Sequence, residues 1–270
     1  MNATRGPRKP EQQLRRELVQ FAHLCYERGL LVGFDGNLSA RIDDDFVLCT
    51  RANCHKGLLT EDDLLIVTLA GKKVRGNGAP TSELGMHLAC YKARPDVQAV
   101  VHAHPPICIA FTVAGLTMAR CVLPEVVLTM GVIPTLSYET TGTTDLAALV
   151  GEAVREHDAV LLDHHGAVAL GDSLLAAFCK LETMEHTAKI MKAARDLGGI
   201  IDLPPAESAH LRKLGLSRYG GPPAARARVG EPFADLPLAC QACSGCGNPT
   251  AKGLGAKAPF SVARLSSAAG

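Results

Sequence analysis

The first regular pattern in the chain places apolar residues at helical spacing. Between Glu11 and Leu31 they recur every three or four positions, which predicts an amphipathic helix ending at Gly29 or Gly33. Three short apolar runs follow, separated by turns that are rich in Asp or contain Gly. These runs predict a meander of strands over residues 38–42, 46–50 and 64–69.

Helices and strands alternate over the next part of the chain. Thr81 or Ser82 can cap a helix that has Glu83 in its first turn and runs from Pro80 to about Arg94. The pattern further predicts strands at 97–102, 122–128, 133–136, 159–163 and 167–170, and helices at 106–114, 144–156 and 174–197. Helices interleaved with a mixed sheet indicate a layered α/β architecture.

Two histidines lie at the end of the most apolar strand candidate, where His102 and His104 precede Pro105. Side chains at i and i+2 of a strand share a face, so both imidazoles can bind one object, which we expect to be a metal ion. A second apolar run ends in His164 and His165 and can supply a third ligand. Three neutral imidazoles leave a divalent ion an open coordination position, as in catalytic zinc sites.

Composition narrows the possible partners and compartment. The chain has 270 residues and a formal net charge of +1, so it lacks the clustered positive charge of proteins that bind nucleic acid or anionic membranes. The apolar stretch 97–119 is interrupted by His and Pro and does not predict a transmembrane span. No secretory signal is recognisable, so we expect a cytoplasmic protein whose cysteines are mostly reduced core residues.

Composition changes after Ile201 toward Pro, Gly, Ala and Arg with little periodicity. We therefore expect one domain over residues 1–219 and a disordered tail over 220–270. In the tail, Cys240, Cys243 and Cys246 have metal-ligand spacing, but no fourth cysteine follows. The alternatives are an oxidisable tail and an iron–sulfur or zinc site completed from elsewhere.

Several motifs together resemble the class II aldolase/adducin family, typified by fuculose-1-phosphate and ribulose-phosphate aldolases. They occur in order between about residues 11 and 200: Gly36-Asn37-Leu38-Ser39-Ala40-Arg41, Pro80-Thr81-Ser82-Glu83, His102-Ala103-His104-Pro105, Tyr138-Glu139-Thr140-Thr141-Gly142-Thr143 and His164-His165-Gly166. The resemblance implies a three-layer α/β/α sandwich around a mixed, largely antiparallel sheet. It also implies a C4-type homotetramer with active sites at subunit interfaces, and a divalent metal, usually zinc, with manganese, cobalt or iron tolerated by similar ligands.

The resemblance also assigns roles to residues. The metal ligands are His102, His104 and His165, and the catalytic acid/base is Glu83. Asn37, Thr81 and Ser82 correspond to residues that bind the substrate phosphate. His164 is left as a supporting or core residue, and His87, one helical turn after Glu83, is expected to pack or to orient its neighbours. Burial would raise the pKa of Glu83 and a nearby cation would lower it, which suits a group that transfers protons.

The chain departs from the family pattern at two places. Many aldolases of the family carry Thr-Pro-Ser/Thr-Gly in a second phosphate loop, whereas this chain has Arg51 in that loop, which could bind a phosphate or carboxylate instead. The tyrosine that some sugar-phosphate aldolases use as a proton donor is absent from the region around Pro124. Tyr219 is a possible replacement.

These features predict a metal-dependent aldolase, an aldehyde-lyase of carbohydrate metabolism that cleaves a small ketose phosphate or related hydroxy-carbonyl compound. Cleavage beside a carbonyl leaves an enediolate, whose negative charge a divalent cation stabilises by several kcal/mol. An epimerase, dehydratase or decarboxylase of the same family would use the same enediolate. A non-catalytic, adducin-like interaction module is the alternative from another class, although such a protein would be expected to lose the ligands or the acid.

Overall fold

A mixed sheet of eight strands forms the centre of the computed structural model, which describes residues 9–222. The strands are β1 (Asn37–Arg41), β2 (Phe46–Thr50), β3 (Leu64–Thr68), β4 (Lys73–Arg75), β5 (Ala99–Ala103), β6 (Thr135–Leu136), β7 (Ala159–Leu162) and β8 (Gly166–Gly171). Their order across the sheet is β4-β3-β2-β1-β5-β8-β7-β6. All neighbours are antiparallel except β6 and β7, which confirms the predicted mixed, largely antiparallel sheet.

Helices cover both faces of this sheet. They are α1 (Glu11–Glu27), α2 (Leu84–Ala93), α3 (Pro106–Val113), α4 (Pro124–Thr129), α5 (Thr144–Ala153), α6 (Leu174–Asp196) and α7 (Pro205–Tyr219). Alternate residues of a strand enter different cores: Val101 packs with α1, α3 and α6, whereas Val100 packs with α2 and α5. The predicted three-layer α/β/α arrangement is therefore confirmed.

The central strands fix the position of the histidine pair. In the ladder His102 of β5 lies opposite Asn37 of β1 on one side and Val168 of β8 on the other. Gly36 immediately precedes β1 with a φ of 64°, and an added Cβ there would lie 2.6 Å from the His102 carbonyl oxygen. Only glycine fits this approach, so the loop before β1 is held against the end of β5.

One predicted strand is wrong, because residues 122–128 contain helix α4. Leu123 is extended, and Pro124 is the first helical residue, where its missing N–H has no cost. The β-branched pair Val126 and Val127 suggests a strand, but both side chains are buried in apolar clusters against neighbouring helices. Tertiary packing here overrides local propensity.

The start of α2 also differs from the prediction. The helix begins at Leu84 with Glu83 at the N-cap position, and the Glu83 side chain makes no cap bond; the Thr81 hydroxyl accepts from the Glu83 N–H at 3.3 Å in the turn before the helix. Pro80 forms an isolated antiparallel bridge with Arg51, which holds this segment extended. The chain turns into the helix only afterwards, where the Leu84 N–H donates to the Thr81 carbonyl at 3.1 Å.

Two elements were not predicted. β4 is a short, fully exposed edge strand without the alternating apolar pattern of a buried one. α7 lies where the sequence shows little periodicity, and it packs so closely on α4 that a Cβ on Gly215 would lie 2.0 Å from the Leu128 carbonyl oxygen. α7 ends at Tyr219. From residue 223 onward the predicted tail lies outside the described residues, as do Cys240, Cys243 and Cys246.

The described cysteines are free thiols. Six of the seven are buried and Cys179 is exposed. Burial raises the pKa of the Cys25 thiol to about 12, as expected for an unreactive core residue. Within residues 9–222, no helix combines the length and apolar character needed to cross a membrane.

A buried ion network ties helices to the end of the sheet. Asp158 is 5% exposed; its Oδ1 accepts from Arg94 Nη1 at 2.9 Å and its Oδ2 from Lys180 Nζ at 2.7 Å. Burial by itself would raise the pKa of Asp158, but the charges of Lys180 and Arg94 outweigh it and lower the pKa. Because the pKa is lower in the folded state, this stabilisation is present above the unfolded pKa of about 3.9 and is lost as the pH falls below it.

We predict that Asp158→Asn lowers the free energy of unfolding by about 3 kcal/mol, because it removes the counterion shared by the buried Arg94 and the half-buried Lys180. Urea denaturation at neutral pH measures the loss. Asp96→Asn is the matched control, since Asp96 also pairs with Arg94 but its side chain is 23% exposed. Equal losses in the two variants would contradict the assigned role of Asp158.

Candidate metal centre and active site

Three histidines converge at the ends of two neighbouring strands. His102 lies in β5, His104 directly follows this strand, and His165 directly precedes β8. One ring nitrogen from each lies within 4.8 Å of the others. The structure thus brings together the three predicted metal ligands from two segments that are about sixty residues apart in the sequence.

Hydrogen bonds on the far side of two rings leave their Nε2 atoms free to bind a metal. His102 Nδ1 donates to the Ala167 carbonyl at 3.0 Å, and His104 Nδ1 lies 3.3 Å from the Asp35 carboxylate. The two Nε2 atoms then carry lone pairs and face each other at 3.2 Å. Lone pairs converging at this distance fit a divalent cation between them, with the far-side contacts orienting the rings.

Gly166 allows the rings to approach each other. An added Cβ at this position would lie 2.8 Å from His104 Cδ2 and 2.5 Å from the Ala103 carbonyl oxygen. The glycine is therefore required by the close packing of β5 against β8 at the site. His164 lies outside the cluster: it has a φ of 54°, an exposed side chain and an Nδ1 contact of 2.8 Å with Asp163.

Glu83 lies beside the imidazole cluster and is 8% exposed. Its Oε2 is 3.2 Å from His102 Nε2, and its Oε1 is 3.1 Å from His165 Nε2. Burial alone would raise the pKa of Glu83, but positive charge on the His102 side of the carboxyl group and the hydrogen bond from Asn37 outweigh it and lower the pKa. Glu83 is thus held by His102, His165 and Asn37 at the edge of the histidine cluster.

Asn37 connects Glu83 to the neighbouring loop. Its Nδ2 donates to Glu83 Oε2 at 2.8 Å and to Thr81 Oγ1 at 3.1 Å. Both amide hydrogens are therefore engaged within the protein. Binding of a substrate phosphate by this side chain, as the resemblance implies, would replace one of these two bonds.

An open cavity lies in front of Glu83 and the histidines. Arg51, Thr81 and Ser82 border it, so the structure brings the predicted anion-binding residues to one place. The backbone N–H of Ala52 donates to the Ala79 carbonyl at 2.9 Å and holds the Arg51 loop against the segment before α2. Arg51 Nε donates to Asp63 at 2.7 Å, which orients the guanidinium.

Lys56 is a cavity residue that the sequence analysis missed. It is 2% exposed, and its Nζ donates to the carbonyls of Phe34 at 3.0 Å and Cys54 at 2.9 Å. Burial lowers the pKa of its ammonium. Two of its three N–H groups are used, so one remains for another acceptor. A lysine in a loop gives no sequence signal of burial, because most lysines are solvated.

Tyr219 does not reach this cavity within the chain. It is 56% exposed at the end of α7 and lies under the guanidinium of Arg218. Among the described residues that border the cavity there is no tyrosine. The proposed replacement of the missing tyrosine by Tyr219 of the same chain is therefore not supported by the geometry.

Comparison with known proteins identifies the family. The profile of the Class II Aldolase and Adducin N-terminal domain matches residues 16–191, which is more than half of the chain. The chain belongs to the class II aldolase and adducin family. The resemblance seen in the sequence motifs is thereby confirmed, and class II aldolases typically depend on a divalent metal, which agrees with the histidine cluster.

Members of the class II aldolase family that resemble this chain catalyse more than one reaction. An L-fuculose phosphate aldolase of Methanococcus vannielii is 37% identical over 175 residues, which are 65% of this chain and 93% of that protein. A 3-oxo-tetronate 4-phosphate decarboxylase of Escherichia coli is 35% identical over 187 residues, or 68% of this chain and 88% of that protein. Both similar proteins are enzymes that act on small molecules.

Solved structures agree with the class II aldolase fold. YgbL of Escherichia coli, described as a candidate aldolase, epimerase or decarboxylase, has a TM-score of 0.71 and 34% identity, covering 76% of this chain and all of that chain. A structure of L-fuculose 1-phosphate aldolase has a TM-score of 0.69 and 27% identity, covering 77% of this chain and 98% of that chain. The described fold is thus that of the family.

We predict that the purified protein retains about one divalent transition metal ion per chain, because three converging imidazole nitrogens can fill three of the four positions of a tetrahedral site. His102→Ala, His104→Ala and His165→Ala should each lose most of it. His164→Ala is the matched control and should retain the metal, since this neighbouring ring lies outside the cluster. Elemental analysis after dialysis gives the ratio; metal lost only from the His164 variant would contradict the assignment.

Proposed function

We propose that this protein is a metal-dependent lyase that cleaves a carbon–carbon bond next to the carbonyl of a small phosphorylated hydroxy-carbonyl compound, with aldol cleavage of a ketose phosphate as the reaction. The observation that carries the proposal is the Glu83 carboxyl group, 3.2 Å and 3.1 Å from two imidazoles of a three-histidine cluster, beside an open cavity. A proton-transfer group and a cation site therefore face the same substrate position.

The ligands proposed for the cation are His102, His104 and His165. Zinc suits three imidazoles, and manganese, cobalt and iron are accepted by similar ligand sets. When bound, the ion supplies positive charge for the negative charge that bond cleavage leaves on the substrate oxygens.

Glu83 is proposed to carry the proton. In aldol cleavage the β-hydroxyl loses its proton, its carbon becomes the aldehyde, and the electron pair of the broken bond passes into the carbonyl fragment as an enediolate. Glu83 accepts a proton and returns it to the enediolate carbon, so the carboxylate is regenerated at the end of the cycle.

The anionic end of the substrate is assigned to the wall of the cavity that contains Arg51, Thr81 and Ser82. Arg51 offers a planar guanidinium, which suits a phosphate or carboxylate, and Thr81 and Ser82 add hydroxyl groups. Lys56 adds a buried ammonium with one unused N–H. An anion held there would place the substrate carbonyl between this wall and the histidines.

Decarboxylation is the second candidate, and two observations favour it. Relatives of comparable identity are 3-oxo-tetronate 4-phosphate decarboxylases, and Arg51 stands where a hydroxyl-rich phosphate loop is usual in the aldolases. In this reaction the broken bond releases carbon dioxide instead of an aldehyde, and the same enediolate is then protonated. An epimerase or a dehydratase would release neither product.

We also propose a homotetramer with active sites at subunit interfaces. Phe34 borders the cavity and is 64% exposed, and Val32, two residues earlier, is 67% exposed; both are suited to contact another subunit. A cytoplasmic location is proposed as well, supported by the free state of the described cysteines. Light scattering of the purified protein tests the subunit number.

The products separate the proposed reactions. We expect metal-loaded protein to release an aldehyde from a ketose 1-phosphate such as L-fuculose 1-phosphate, measured with an aldehyde-specific dehydrogenase. The parallel assay offers a 3-oxo acid phosphate and measures carbon dioxide. Release of carbon dioxide without aldehyde would identify the protein as a decarboxylase. Loss of substrate without either product would contradict both aldol cleavage and decarboxylation.

We predict that Glu83→Gln reduces kcat by about 10² to 10⁴, because the amide cannot accept the proton. Metal content should stay at the wild-type level, since the three histidines are unchanged. Glu152→Gln, a 79% exposed carboxylate, is the control for loss of a charge. Wild-type turnover in the Glu83 variant would exclude Glu83 from proton transfer.

A further inference from the structure

A chain of buried polar side chains runs from the core of the protein to Glu83. Tyr91 OH and Ser39 Oγ are 2.9 Å apart, Ser39 Oγ and His87 Nδ1 are 2.7 Å apart, and His87 Nε2 and Asn37 Oδ1 are 2.5 Å apart. Asn37 Nδ2 then reaches Glu83 Oε2 at 2.8 Å. Tyr91, Ser39 and His87 are at most 1% exposed, so no solvent competes for these bonds.

Two regular elements produce this alignment. Asn37 and Ser39 are at i and i+2 of β1 and point to the same side of the sheet. Glu83, His87 and Tyr91 are four residues apart along α2 and its N-terminal flank, so they share one face of the helix. The strand and the helix therefore present matching rows of polar groups to each other.

The orientation of the Asn37 amide sets the direction of every bond in the chain. Asn37 Nδ2 donates to both Glu83 Oε2 and Thr81 Oγ1, so the Asn37 carbonyl oxygen faces His87. His87 then carries its proton on Nε2, and its Nδ1 accepts the Ser39 hydroxyl proton. With that proton used, Ser39 Oγ accepts from Tyr91 OH. The opposite arrangement would place the Asn37 oxygen against the carboxylate.

The far end of the chain is anchored. Arg41 Nη2 donates to the Tyr91 carbonyl at 2.9 Å, and the Arg41 guanidinium lies 4.9 Å from the centre of the Tyr91 ring. Burial lowers the pKa of His87 to about 3, so its ring is neutral. A neutral His87 ring can donate to Asn37 through one nitrogen and accept from Ser39 through the other. A protonated ring would have donors at both nitrogens and could not accept from Ser39.

We propose that His87, Ser39 and Tyr91 are positioning residues that fix the Asn37 amide and, through it, the orientation of the Glu83 carboxylate for proton transfer. The proposal rests on the assignment of Glu83 as the proton carrier. Hydrogen bonds within a water-free chain strengthen one another, and small displacements of a reacting group are costly in rate. Tyr91, Ser39 and His87, which do not border the cavity, thus act on turnover without contacting the substrate.

The test compares His87→Leu with His87→Gln in metal-loaded protein. His87→Leu removes the donor to Asn37 and should reduce kcat per bound metal by about 10-fold to 10²-fold, with KM and metal content unchanged. His87→Gln can still donate to the Asn37 oxygen and should restore kcat to within about threefold of wild type. His157→Phe, at a histidine buried elsewhere, is the control for disturbing the core.

A double-variant cycle distinguishes positioning from general structural damage. If His87 acts through Glu83, adding His87→Leu to Glu83→Gln should cause little further loss of kcat. Ser39→Ala, a smaller change, should also reduce kcat without raising KM, which keeps the test valid if His87→Leu folds poorly. Independent, multiplicative losses, or wild-type kcat in both the Ser39 and the His87→Leu variants, would overturn the proposal. Wild-type kcat in Glu83→Gln alone would overturn the proposed function instead, and the positioning role with it.

Discussion

The site depends on one constraint, the burial of the negative charge of Glu83. A carboxylate that is 8% exposed is stable only if hydrogen-bond donors or cations surround it, and here they come from separate parts of the chain. Asn37 donates from β1, while His102 and His165 face it from the ends of β5 and β8. The arrangement of these three strands therefore determines which polar and charged groups surround Glu83.

The order of the sheet makes this convergence possible. Because β5 lies between β1 and β8, residues at the end of β5 are near both neighbours, although the three strands are far apart in sequence. Gly36 and Gly166 remove the side chains that would keep the loops away from this end of the sheet. Two glycines next to functional residues are thus part of the site, even though neither offers a functional group.

The sequence reveals those parts of the site that depend on short-range geometry. His102 and His104 follow from the two-residue period of a strand, and the apolar run before His165 marks a second strand end. Lys56 and Ser39 were not recognisable, because their roles depend on which loop or strand lies opposite, a tertiary property. The same holds for α4, where packing against α7 decides in favour of a helix over the strand preference of Val126 and Val127.

The proposed chemistry explains how relatives of similar identity can be aldolases or decarboxylases. Both reactions pass an electron pair into the carbonyl of the substrate and then protonate the resulting enediolate, so the histidines and Glu83 are needed equally in both. What differs is the group that leaves, and this depends on how the substrate is oriented in the cavity. In this chain the cationic groups of Arg51 and Lys56 lie on the wall of the cavity that would hold an anion. We therefore expect the residues of that wall to determine which reaction the protein catalyses. Arg51 is also a position where the sequence departs from the usual aldolase pattern.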